Sequence, residues 1–110
     1  MMNPSSLTIF RAESFVSRLL GLLARAPLGS NEALYLAPCA SVHTMFMGYA
    51  IDVVFLDGSG RVVKMVAPLG PWRATSCWGA CAALELRAGE ARRLGFDVGS
   101  FLDIEAPLRG

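Results

Sequence analysis

The feature that most constrains the fold is the run from Ile51 to Leu56 (IDVVFL), which is apolar except for one aspartate and rich in β-branched residues. A short run of this kind is typical of a strand that is covered on both faces. It is followed by the turn-forming sequence Asp57-Gly58-Ser59-Gly60 and by a second strand-like run, Arg61 to Val66. Two such runs joined by a glycine-rich turn predict a β-hairpin.

Other short runs on both sides of this hairpin also have strand-like composition. We predict strands at 7–10, 33–37, 72–75, 82–86 and 101–105. Within 39–50, Val42 and Thr44 alternate with His43, which also favours a strand. Glu85 is expected to point outward from its strand, and the segment Pro68-Leu69-Gly70-Pro71 is expected to be a loop.

Two helices are predicted. Apolar residues recur at helical spacing from Phe15 to Leu23, with Ser14 as the N-cap, and this helix should end before Pro27. A shorter helix is predicted at 89–94, where an acidic residue begins the segment and two arginines end it, in accord with the helix dipole. Gly95 should terminate it in the left-handed conformation.

These elements predict an α+β chain that is mostly β: a compact antiparallel or mixed sheet, barrel-like or sandwich-like, with one longer N-terminal helix and one short C-terminal helix. A chain of 110 residues is long enough for one domain, 1–110, with its core in 7–105. An apolar fraction of 54% against 17% charged residues excludes a disordered chain.

Charge and hydropathy exclude several partners. A net charge of +1 gives no basis for binding nucleic acid. The most signal-like stretch, Phe15 to Ala24, is interrupted by Arg18 and is far shorter than the ~20 apolar residues that span a membrane. No transmembrane segment or signal peptide is predicted, and the default location is cytoplasmic, with export left open. Three cysteines, an odd number, indicate either a reducing compartment or unpaired thiols.

One candidate site joins four soft or borderline ligands, Cys39, His43, Cys77 and Cys81, which would suit tetrahedral zinc if they met in space. The simpler interpretation is that Cys77 and Cys81 are small buried residues and that His43 is a satisfied polar group. No cofactor is predicted, and zinc is the alternative. A Cys–His nucleophile pair built on Cys39 or Cys77 has weaker support, since no signature turn surrounds either cysteine.

A second candidate site is a surface for a ligand. The pair Trp72-Arg73, with Trp78 nearby, would suit a stacking platform for a sugar or another ring. Asp52 lies inside an apolar run and needs either a buried partner, such as an arginine or backbone N–H groups, or a place in a cleft. The candidate ligand-binding residues are His43, Thr44, Met47, Asp52, Trp72 and Arg73.

The chain resembles the DUF192 family of uncharacterised bacterial and archaeal proteins over roughly residues 10–105. The segments that carry the likeness are Arg18 to Leu23 with Arg25, Cys39 to Met47, Ile51 to Asp57 with Gly60, and Leu84-Glu85-Leu86 with Gly89. Ser100 stands where the family has aspartate, and the family's central Lys-Asn is missing. The resemblance implies a compact, mostly β domain with short helices, and it assigns no catalytic residues.

Three functions remain as hypotheses. The leading one is an accessory module that binds a small ligand or another protein. The first alternative is an enzyme or metal-binding protein built on Cys39, His43 and Asp52, with Cys77 and Cys81 as further candidates, although no convincing catalytic constellation is present. The second is a structural subunit that forms a homo-oligomer through an exposed apolar patch.

Overall fold

A computed structural model of the protein describes residues 7–12, 28–44 and 48–102. This part of the chain contains seven strands and one short helix. They are β1 (Thr8–Ala12), β2 (Glu32–Leu36), β3 (Ser41–His43), β4 (Ile51–Leu56), β5 (Val62–Leu69), β6 (Ala74–Ser76), β7 (Ala82–Arg87) and α1 (Glu90–Arg93). The helix predicted between Phe15 and Leu23 lies outside the described residues.

Five strands form a mixed sheet in the order β1-β2-β7-β4-β5. Strands β1 and β2 are parallel, and the other neighbours are antiparallel. Within the described residues β1 and β5 are the two edges and do not pair, so the sheet is open and the barrel closure considered above is not found. A mostly β fold with a mixed sheet and a short C-terminal helix is confirmed.

The strands β3 and β6 form a separate antiparallel pair, which we call the ribbon. The central strand β4 is buried on both faces, as its composition predicts. Val54 and Leu56 pack in one apolar cluster with Ala91 of α1, whereas Val53 and Phe55 pack in another with Val42 of the ribbon. The helix therefore covers one face of the sheet, the helix face, and the ribbon covers the other, the ribbon face.

The hairpin of β4 and β5 has the predicted turn. The Asp57 carboxylate oxygen Oδ1 accepts hydrogen bonds from Ser59 N (2.8 Å), Ser59 Oγ (2.7 Å) and Arg61 N (3.0 Å). The Ser59 hydroxyl contributes most to lowering the pKa of Asp57 below its usual value. Gly60 has a φ of 87°, a left-handed conformation that glycine adopts without strain.

The predicted loop at 68–71 begins too early. Strand β5 continues through Pro68 to Leu69, which pairs with Ile51. The register between β4 and β5 shifts just before this pair, and β5 is an edge strand. A proline is tolerated at such a position because an edge strand or a bulge does not require its missing N–H.

Glu85 does not point outward, and that prediction is wrong. Glu85 is completely buried and lies opposite Val53 of β4 and Leu34 of β2 on the ribbon face. The reason is that β7 is the middle strand of the sheet, with both faces covered, so the alternation that holds for a half-exposed strand does not apply.

The end of the described chain follows the prediction in part. Helix α1 ends before Gly95, which has a φ of 85° as expected. The predicted last strand appears as a single bridge between Phe101 and Arg61, and residues 103–105 lie outside the described part. No helix in the described ranges is long and apolar enough to span a membrane.

Candidate functional site

Thr44 joins the end of the ribbon to the loop that enters β6. Its backbone N donates to the Arg73 carbonyl (2.7 Å), and its carbonyl accepts from Trp72 N (3.0 Å). Its hydroxyl donates to the Gly70 carbonyl (2.6 Å) and accepts from Arg73 N (2.9 Å). Thr44 has no exposed surface. The polar groups of Thr44 are therefore hydrogen-bonded inside the protein. Thr44 holds the loop in place and does not face a ligand.

Trp72 is held by this support in an uncommon conformation. Its φ is 59°, and 56% of its surface is exposed. It follows Pro71 in a tight turn, which is the sequence pattern of a type II turn with tryptophan at the position that favours glycine. A left-handed conformation costs a residue with a Cβ about 1–2 kcal/mol. Such strain persists only where the surroundings fix the backbone, and hydrogen bonds to Thr44 do so on both sides of Trp72.

His43 and Arg73 lie beside Trp72 at the same end of the ribbon. The burial of β3 alternates as predicted, with Val42 buried and His43 exposed. His43 pairs with Ala74, the residue after the exposed Arg73. We call His43, Trp72 and Arg73 the ribbon-end surface. The neighbouring segments 41–44 and 70–76 contain one arginine, Arg73, and no acidic residue.

Asp52 does not join this surface. It is completely buried on the helix face, where its Oδ2 accepts hydrogen bonds from the backbone N–H groups of Gly89 (3.0 Å) and Ala91 (2.9 Å). The ribbon and His43 cover the opposite face, so the sheet separates Asp52 from His43. This confirms the interpretation of Asp52 as a buried carboxylate with backbone partners. Met47 lies outside the described residues.

The three cysteines lie at the other end of the ribbon. Cys77 follows β6 directly and donates from its backbone N to the Ala40 carbonyl (2.9 Å), and Cys39 N donates to the Cys81 carbonyl (3.1 Å). All three are free cysteines. Among the described residues, no group of three or more His, Cys, Asp or Glu side chains is placed to hold a metal ion. The four candidate zinc ligands, which include His43, therefore do not form a metal-binding group.

Trp78 also lies at the cysteine end and is fully exposed. The whole of β6 separates it from Trp72, so the two tryptophans do not form one platform. Sequence reasoning also missed the role of Gly70, whose carbonyl accepts the Thr44 hydroxyl. The dipeptide Gly70-Pro71 signals a turn, but nothing in the sequence links that turn to Thr44.

The chain belongs to the DUF192 family, described as an uncharacterised family, which it matches over residues 2–104. Among curated relatives, the UPF0127 protein PH1112 of Pyrococcus horikoshii is 42% identical over 67 residues, and the UPF0127 protein PF1050 of Pyrococcus furiosus is 40% identical over the same length. These alignments cover 56% of this chain. The chain spans 56% and 55% of the respective relatives, so only about half of their length is compared.

Two solved structures share the fold. One is a protein of unknown function from Novosphingobium aromaticivorans, with a TM-score of 0.76 and 24% identity, covering 86% of this chain and 73% of that one. The other, from Sinorhizobium meliloti, is described as a candidate transcription regulator, with a TM-score of 0.76 and 20% identity, covering 86% of this chain and 79% of that one. At these identities the likeness concerns the fold alone.

Proposed function

We propose that this protein is a binding module without catalytic activity, and that it binds its ligand at the ribbon-end surface. The observation that carries the proposal is the strained and exposed Trp72, fixed from below by the buried Thr44. Trp72 belongs to neither of the two apolar core clusters, and a residue with less strain would serve the turn better. Strained residues of this kind cluster at ligand-binding positions.

The chemistry of the three side chains defines the class of ligand. The indole of Trp72 offers a face for stacking against a ring, and Arg73 offers a cation with several donors. His43 adds a further polar group, and no carboxylate lies in the adjoining segments. A ring-bearing ligand with an acidic group, either as a small molecule or as part of a protein, fits this arrangement best.

Two observations disfavour the alternative of an enzyme or metal protein. Asp52 and His43 lie on opposite sides of the sheet. The described cysteines, histidine and carboxylates form no metal-binding group. The net charge of +1 likewise gives no support for a nucleic-acid partner.

The test is a titration followed by two-dimensional ¹H–¹⁵N NMR with aromatic carboxylates, simple aromatics and neutral sugars as separate probes. We expect aromatic carboxylates to shift the amide signals of His43 and Arg73. Trp72→Ala should abolish the shifts, and Arg73→Gln should weaken them for carboxylates more than for neutral rings. Trp78→Ala is the matched control, because it removes an equally large exposed indole at the other end of β6.

The proposal fails if two results are found together. No probe shifts these signals, and in a pulldown the Trp72→Ala protein captures the same proteins as the wild type. It also fails if Trp78→Ala and Trp72→Ala reduce binding equally, since the ribbon-end surface would then have no special role.

A separate observation favours the homo-oligomeric alternative. Val98 and Phe101 are 60% and 59% exposed, and the segment that carries them hydrogen-bonds to Val62 at the start of β5. Val63, on the same strand, is also exposed. Exposed apolar residues along one edge are typical of an interface between subunits. Light scattering across a range of concentrations tests this, and a wild-type monomer at every concentration would remove the hypothesis.

A further inference from the structure

We propose that Cys39 and Cys81 form a reversible disulfide when the protein meets a hydroperoxide, so that the cysteine end of the ribbon is a site of oxidative modification. The proposal does not depend on the ligand at the other end of the ribbon. It rests on where the fold places the thiols of Cys39, Cys77 and Cys81. Cys77 follows Cys39 by 38 residues, and Cys81 follows Cys77 by four.

The backbone brings Cys39 and Cys81 together. Strands β2 and β7 are antiparallel, and their last pair is Leu36 with Ala83. Just beyond it, Cys39 N donates to the Cys81 carbonyl at 3.1 Å. The pair is not a reciprocal one, because Cys81 N donates to the Leu56 carbonyl instead. The single hydrogen bond brings the two backbones close together, and a bridge requires Cα atoms about 4.4–6.8 Å apart.

The two thiols start from different surroundings. The Cys81 sulfur lies beside Gly58, in the turn after β4, so the Cys81 side chain has to rotate toward Cys39 for the bridge to form. Cys39 packs against the ribbon-face cluster, as does Cys77. In the reduced protein the Cys39 thiol makes only a weak hydrogen bond to the Ser41 carbonyl, at 3.2 Å. Leaving that contact costs little, because a thiol is a weak donor.

Exposure assigns the order of events. Cys81 is exposed, whereas Cys39 is only partly exposed. Gly58 lies beside the Cys81 sulfur, and a Cβ at Gly58 would sit 3.7 Å from it, so the absence of a side chain leaves that approach open. Cys81 is therefore the thiol that a hydroperoxide meets first, and Cys39 is the thiol that resolves the product.

The chemistry balances with the hydroperoxide as the oxidant. The Cys81 thiolate attacks the peroxide, an S–O bond forms, the O–O bond breaks, and an alcohol or water leaves. The Cys39 thiolate then attacks the sulfur of this sulfenic acid, the S–S bond forms, and the hydroxyl leaves as water. Two thiols and one hydroperoxide yield one disulfide, one alcohol or water, and one further water. A dithiol such as dithiothreitol reverses the bridge by exchange.

Cys77 is the internal competitor and provides the control. Its backbone N donates to Ala40, the neighbour of Cys39, whereas the backbone N of Cys39 itself donates to Cys81. Its own thiol has a long contact with the Trp78 carbonyl, at 3.8 Å. Cys77→Ser should therefore leave the reaction intact.

The experiment treats the full chain with hydrogen peroxide, blocks the remaining thiols by alkylation, and maps the peptides by mass spectrometry. Trypsin leaves Cys77 and Cys81 on one peptide, because no lysine or arginine lies between them, so chymotryptic cleavage after Trp78 is needed to separate them. We expect a peptide pair joining Cys39 to Cys81, lighter by two hydrogens than the reduced pair, and one alkylated thiol at Cys77. Dithiothreitol should restore three reactive thiols.

Variants extend the test. After peroxide treatment, the Cys77→Ser protein should have both of its remaining thiols in the disulfide. In the Cys39→Ser protein, Cys81 should end as a sulfenic acid or a more oxidised product. A bridge that includes Cys77, a bridge between two chains on a non-reducing gel, or an overoxidised Cys81 beside an alkylatable Cys39 would each overturn the assignment. The wild-type map decides the question even if a variant fails to fold.

Discussion

Thr44 and Arg73 are joined by a backbone hydrogen bond and a side-chain hydrogen bond in opposite directions: Thr44 N donates to the Arg73 carbonyl, and Arg73 N donates to the Thr44 hydroxyl oxygen. Both residues flank the turn that presents Trp72. Because the hydroxyl also donates to Gly70, one buried oxygen connects the two sides of that turn. Thr44 thus sets the conformation of the exposed turn, although Thr44 itself has no exposed surface for a ligand to touch.

Replacing Thr44 with valine keeps the shape of the side chain and removes this oxygen. The Gly70 carbonyl and Arg73 N then lose a partner in a part-buried place, which costs about 1–3 kcal/mol. We expect urea denaturation to show that loss, and we expect binding at the ribbon-end surface to weaken as the turn loosens. Thr44→Ser is the control, because it keeps the hydroxyl. Equal losses for the two variants would show that packing of the methyl group matters, and not the hydrogen bonds.

The backbone strain at Trp72 predicts a difference between two truncations. Both Trp72→Ala and Trp72→Gly remove the indole and should abolish binding. Alanine keeps the Cβ that disfavours a φ of 59°, whereas glycine adopts this conformation freely. We therefore expect Trp72→Gly to be more stable to denaturation than Trp72→Ala by about 1 kcal/mol. The reverse order, which is the normal one for ordinary backbone, would show that the turn is not strained.

The strands were predictable where burial and local composition agree. Strand β4 matches the predicted bounds, and the turn at Asp57 has the expected hydrogen bonds. Errors arose where tertiary position overrides the local pattern. Glu85 is buried because β7 is the middle strand of the sheet, and Pro68 is tolerated because β5 is at the edge. Both facts depend on strand order, which a single sequence does not reveal.

The candidate site was predictable only in part, and for a similar reason. His43, Trp72 and Arg73 were selected from their residue types, and the fold places them at one end of the ribbon. Asp52 was selected from its cost of burial, but burial alone does not tell which face of a sheet a residue occupies. The five residues between Trp72 and Trp78 include a strand, and an extended strand separates its ends instead of bringing them together.

Asp52 gives a prediction that separates the binding module from the enzyme alternative. Its Oδ2 accepts from two backbone N–H groups at the start of α1, so Asp52→Ala leaves both without an acceptor. We expect a loss of about 3 kcal/mol in the free energy of unfolding. Amide hydrogen exchange at Ala91 should become faster than in the wild type.

Asp52→Asn retains an acceptor oxygen and should lose less stability than Asp52→Ala. In both variants, the folded fraction should bind at the ribbon-end surface with unchanged affinity, since that surface lies across the sheet. A folded Asp52→Asn protein that had lost binding or any measured activity would instead place Asp52 in the site.

Glu90 predicts how stability depends on acid. Its carboxylate accepts from Arg93 Nε (2.7 Å) and Nη2 (2.6 Å) and from Asn31 N (2.9 Å), which links α1 to the segment before β2. The Arg93 hydrogen bonds are the main cause that lowers the pKa of Glu90 from 4.5 to about 2. A lowered pKa means that the folded state holds the ionised form, so this stabilisation is complete above pH 4.5 and disappears as the pH falls to about 2.

We therefore expect the wild type to be more stable than Glu90→Gln at neutral pH, and we expect the difference to shrink between pH 4.5 and about 2. Urea denaturation of both proteins at a series of pH values measures it. Arg93→Gln is the control, because it removes the main cause of the lowered pKa and should make the acid dependence shallower. It keeps the hydrogen bond from Asn31 N to Glu90, but it removes the one from Arg93 Nη2 to the Asn31 side chain. A difference between wild type and Glu90→Gln that stays constant across this pH range would show that Glu90 stabilises the fold through packing and not through its charge.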